Sequence, residues 1–195
     1  ITPIGKRSEV VGKPKSEAFD YLTTLNIHVA SPGARICKTE LIKDKLYFEP
    51  DVTAEDIEWT ARMILAVKRL DYYPKDLYIY RQRAGSVTKT MTKNNVVQLQ
   101  RAIGKCIDHG KAIENDAFYP HYMGYVAYQY ITSLANAYKL NKSDLRGVYD
   151  KLVEQSWLLT YGKNRRVKMI ALAKKLLGFR LMFAVLRLYY KRLKR

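Results

Sequence analysis

The sequence predicts an α+β fold, a small mixed α/β part leading into a mostly helical one. Three observations carry this expectation. Residues 69–74 (RLDYYP) and 77–83 (LYIYRQR) alternate in strand fashion around a Pro-Lys-Asp turn that opens at Pro74. Residues 54–68 instead repeat Ile57, Met63, Ile64, Leu65 and Val67 at helical spacing. Beyond Thr92 no strand pattern recurs. The chain of 195 residues accordingly divides into a mixed segment 1–92, a helical segment 93–162 and a basic amphipathic helix 163–195.

Taken in order, residues 1–15 hold Pro3, Gly5, Gly12 and Pro14 among polar neighbours and read as a loop. Residues 16–25 (SEAFDYLTTL) predict a short helix capped by Ser16. A tight connection at Ser31-Pro32-Gly33 precedes ARICKTELIKD, a short strand turning into a helical turn. Thr53 is the expected N-cap of the helix over 54–68. Further helices are expected near 93–114, 118–139, 143–161 and 164–194, punctuated by Asp116 and Pro120 and by Asn141 to Ser143. The tyrosines at 119, 122, 125, 128 and 130 read as one packed helix face or as the wall of an acceptor groove.

The net charge of +17 is uneven, because residues 163–195 carry twelve Lys or Arg and no acid, leaving +5 on the first 162 residues. A cationic tail of this kind expects a polyanion, either an anionic lipid surface or a nucleic acid. Its apolar run is interrupted by Arg180 and Arg187, too short and too charged to cross a bilayer, so an interfacial helix fits it. On a helical wheel Arg166, Arg180, Arg187, Lys191 and Lys194 share a sector of about 80°. Each such charge near an anionic leaflet adds about 1 kcal/mol. Nucleic acid is disfavoured, because the aromatics cluster with aliphatics and the charge is confined to the chain end. Cys37 and Cys106 make no CxxC pair, and His28, His109 and His121 are isolated, so neither a disulfide framework nor a metal-ligand spacing is expected.

Within residues 31–88, three pieces stand in order: ARICKTELI followed by Phe48, the acidic pair Glu55-Asp56 followed by Glu58-Trp59, and the tyrosine-rich run ending LYIYRQRAGS. Together they resemble the second half of the catalytic domain of family 2 glycosyltransferases (GT-A type) that build cell-surface polysaccharides. The resemblance implies transfer of a sugar from a nucleotide-sugar donor to a hydroxyl on a saccharide or lipid-linked acceptor. It places the catalytic base at Asp56, with Glu55 supporting or orienting the acceptor. A carboxylate within hydrogen-bond reach of the attacking hydroxyl takes its proton. Trp59 would stack on a sugar face, and Arg81 and Arg83 would help neutralise the donor diphosphate. The helix dipole at this first turn would lower the pKa of Asp56.

Plainer readings of the same residues stand beside these. Thr53-Ala54-Glu55-Asp56 before an apolar run is also a helix-capping pattern, Arg83 also suits a solvated strand end, and Ser31-Pro32-Gly33 suits either an acceptor-side loop or a connector. The family's nucleotide-binding half carries an Asp-x-Asp motif holding a divalent metal, Mg or Mn, against the donor diphosphate. No Asp-x-Asp occurs in this sequence, so the expectation is an inactive portion whose donor half lies elsewhere. The resemblance further implies a cytoplasmic enzyme, peripheral at the inner face of the cell membrane. The alternatives are a basic helical nucleic-acid-binding protein and a non-catalytic membrane adaptor.

Overall fold

A computed structural model describes residues 5–27, 30–43, 45–75, 77–79, 81 and 91–192. Among these residues there is no strand, and the regular structure is helical throughout. The α+β expectation is therefore corrected to an all-α fold. A strand exists only against a partner's backbone, and the described parts of 69–81 meet no such ladder. Alternation alone did not make a sheet. The expected strand at ARICK is likewise a 3-10 turn, Pro32–Ala34, then irregular backbone leading into α2 (Thr39–Ile42).

The first helix, α1, spans Lys15–Thr24 and buries Ala18, Phe19, Leu22 and Thr23. Pro14 occupies its N-cap position with no side-chain cap, so Ser16 lies inside the helix and does not begin it. Helix α3 (Glu55–Ala66) buries Ile57, Trp59, Ala61, Met63 and Ile64. Its N-cap is Ala54, in left-handed backbone with φ 69°, and no side chain caps it. Thr53 thus does not make the expected capping bond.

The helical segment follows its capping chemistry. Helix α4 (Lys93–Lys111) starts in a capping box: the Asn95 N–H donates to Thr92 Oγ1 at 3.3 Å and the Thr92 N–H to Asn95 Oδ1 at 2.9 Å. Its buried Val96, Leu99, Ile103 and Cys106 recur at three- and four-residue steps. Helix α5 (Tyr119–Ala137) is apolar nearly all round and occupies the centre, touching α1, α3, α4, α6 and α7. Its fully buried tyrosines are packing residues with satisfied phenols. Tyr122 donates to the Cys106 carbonyl at 2.8 Å, Tyr125 to Ile57 at 2.9 Å and Tyr130 to Leu152 at 2.6 Å. A buried hydroxyl left without such a bond would be destabilising by about 1–3 kcal/mol. Helix α6 (Lys142–Glu154), capped by Asn141 accepting from the Asp144 N–H, tightens into a 3-10 stretch over Gln155–Tyr161.

Helix α7 (Arg165–Arg192) begins at Asn164, whose Oδ1 accepts from the Val167 N–H at 2.9 Å. It is two helical halves joined at Gly178, where φ 70° and ψ 165° leave helical geometry. The single helical wheel expected over 164–194 does not apply across that break, and Lys194 lies outside the described residues. Met182 and Phe183 are buried, and the Phe183 ring packs against Tyr138 and Tyr149. One hydrophobic core runs from Phe19 through α3–α6 to Phe183, so it crosses both divisions expected along the chain. Lys163 reaches back to Asp20 at 2.9 Å.

Candidate active site

A backbone turn and a buried face put the acidic pair at the start of α3. An irregular stretch ends at Ala54, whose left-handed backbone turns the chain, and Glu55 then opens the helix. The buried face of α3 fixes its rotation. Tyr125 and Cys106 approach the Ile57 carbonyl from below, the phenol at 2.9 Å, so the first turn sits on the core.

Asp56 is half-buried on this turn. Burial pushes its carboxyl above the ordinary aspartate value, and the charge of Glu55 pushes it further. The N–H groups of Ile57 and Asp56 itself and the charge of Arg35 oppose this without cancelling it. The helix-dipole expectation of a lowered pKa is thus overturned by desolvation and a like-charged neighbour.

Arg35 is a residue the sequence reading passed over. Its guanidinium donates to the carbonyls of Ala30 at 3.2 Å and Ser31 at 3.0 Å and to Thr60 Oγ1 at 3.2 Å. Thr60 in turn donates to the Ala30 carbonyl at 2.8 Å. The Ser31–Arg35 loop is thereby pinned to α3 beside Asp56. The Tyr78 ring closes over the other side of the loop, so near Gly33 that a Cβ there would lie 2.7 Å from it. No periodicity in the sequence marks Arg35, because only the fold brings residues 35 and 60 together.

The other expected site residues are distributed differently. Glu55 faces away from this corner, into a cleft of about 580 Å³ between α3 and α4 lined also by Glu49, Thr53, Arg101, Lys105 and Asp108. Asp56 is not among its lining residues. Glu58, beneath the cleft, pairs with Arg62 and with His109, each at 2.7 Å. Burial raises the Glu58 carboxyl, but these two partners outweigh it and hold the group below the usual glutamate value.

Trp59 is 4% exposed; its indole N–H donates to the Leu46 carbonyl and one ring face stacks on Phe48 at 5.0 Å. It belongs to the core, and the aromatic surface left open there is Phe48. Arg81 is exposed at the edge of the described residues, while Arg83 lies outside them.

Among the described residues no group of three His, Cys, Asp or Glu is placed to hold a metal ion. No protein-family model, curated protein or solved structure matches the chain.

Proposed function

We propose that this chain forms the acceptor side of a family 2 glycosyltransferase, with Asp56 as the base. The observation that carries the proposal is the carboxylate itself: half-buried, raised in pKa, and held on a core-anchored helix turn beside the pinned Arg35 loop. A carboxylate raised in this way is a stronger proton acceptor than a solvated aspartate. The resemblance of residues 31–88 to the family supports the same assignment.

In the proposed reaction the acceptor hydroxyl oxygen attacks the anomeric carbon and its proton passes to the Asp56 carboxylate. The bond from the anomeric carbon to the nucleotide diphosphate breaks, and the diphosphate leaves with the electron pair. Arg35 holds the loop and moderates the charge on Asp56. Phe48 offers the ring face that Trp59 cannot. The donor, with its divalent metal, is bound by a nucleotide-binding half outside this sequence.

The test is transfer by the complete enzyme carrying this chain, followed as nucleotide release. Asp56→Asn should lower turnover by about 10²–10⁴-fold without lowering the thermal unfolding temperature. Turnover within a few-fold of the unsubstituted enzyme would remove Asp56 from the mechanism. Acceptor-independent nucleotide release, equal in both proteins, would remove the transferase class.

A further inference from the structure

We propose that the outward face of α7 is a docking surface for an anionic lipid bilayer. The two halves of α7 are already fixed to the protein on their inner sides. Val167 is buried and Lys174 donates to the Ser156 carbonyl in the first half; Met182 and Phe183 are buried in the second. What remains outside is more apolar than a solvated helix face.

In the first half, Met169, Leu172 and Leu176 are exposed, Leu176 at 72%, and at 100° per residue they fall within about 60° of one another, opposite Val167 and Lys174. In the second half, Leu181, Val185 and Leu188 do the same opposite Phe179, Leu186 and Tyr190. Gly178 resets the helix phase between them, so each half has its own stripe facing away from the core.

Basic side chains flank both stripes. Lys168 and Lys175 lie on one side of the first and Arg166 on the other; Arg180 and Lys191 border the second along one side. The helix contains no acidic residue. An apolar stripe with cationic borders and no acid matches a bilayer interface, where side chains enter the acyl boundary and the borders meet phosphate headgroups. Beside the second stripe, Lys142, Arg146 and Arg187, with Asp150 and Tyr149, line a shallow hollow of about 440 Å³. The Arg187 guanidinium there donates to the Leu140 carbonyl, which fixes its place in the hollow. Among the described residues no helix is long and apolar enough to cross a membrane.

Charge alone would equally attract a nucleic acid, but a nucleic acid does not reward exposed leucines. That difference sets the experiment. The protein is sedimented with vesicles of phosphatidylglycerol and phosphatidylethanolamine and with vesicles of phosphatidylcholine. The comparison is with a Leu176→Glu/Leu188→Glu variant, whose altered positions are solvent-exposed, with thermal unfolding checked for both. The expected result is binding to the anionic vesicles, about tenfold or more weaker for the variant and for phosphatidylcholine.

Equal sedimentation of variant and parent overturns the proposal. So does equal binding to both vesicle types. A DNA shift at the same salt that the variant retains, without vesicle binding, assigns the face to a nucleic acid. A parent dimer that the variant dissolves, without vesicle binding, assigns it to a second copy of the chain. Any of these outcomes leaves the role of Asp56 unaffected.

Discussion

Asp56 and Glu58 stand two residues apart on one helix, and their surroundings drive them in opposite directions. Asp56 is raised by burial and by Glu55, so its protonation favours the folded state and its contribution fades as pH rises. Glu58 is lowered, because Arg62 and His109 outweigh its burial. Its contribution to stability is full above the ordinary glutamate pKa and is lost as pH falls through the depressed value. Glu58→Gln should therefore destabilise the protein at pH 7 by about 1–3 kcal/mol, and the gap between variant and parent should narrow steadily under acid. Urea unfolding across that pH range checks this; a gap that stays constant would show that the two ion pairs do not stabilise the fold. At this scale the acidic pair was legible in the sequence, since both carboxylates were expected at the head of the helix. The burial of Trp59 was not. Its position one turn beyond Asp56 is compatible with an open or a core-facing ring, and Leu46 and Phe48, distant along the chain, decide for the core.

The helices after Thr92 were readable because their signals are local: a capping box, an Asn cap and a 3.6-residue repeat lie within a few residues of one another. Thr92→Ala removes one half of the capping box while its hydroxyl faces solvent, so only the cap is lost. It should lower stability by about 1 kcal/mol, visible as earlier thermal unfolding and faster hydrogen exchange in the first turn of α4; unchanged exchange there would deny the cap its role. The start of α3 obeyed no such rule. Thr53 looked like a cap, but the left-handed Ala54 turns the chain so that no side chain performs the capping. The tyrosine-rich stretch misled for a different reason. Alternation states which faces a strand would present, and it carries no information about whether a neighbouring backbone is there to pair with.

Across the whole molecule, α7 is held in place by its break. Gly178 adopts φ 70° and ψ 165°, backbone that a side chain tolerates poorly, and open space surrounds the position. Gly178→Ala should thus act through the backbone alone, lowering stability by about 1–3 kcal/mol. The loss should fall on residues 179–192, as hydrogen exchange would show, because a straightened rod would lift Phe183 off Tyr138 and Tyr149. Uniform exchange along both halves would instead mean that the bend does not matter to docking. The irregular segment near Tyr78 has a different bearing on the protein's behaviour. Leu77 and Ile79 are exposed, Ile79 at 92%, on backbone without sheet partners. Such a patch is adhesive, and identical copies would tend to zip together along it. Pro74, which lacks an N–H, and the cations of Lys75 and Arg81 sit on either side as gatekeepers. Any tendency of copies to associate at high concentration should therefore be set by three residues that lie outside both the Asp56 turn and the core.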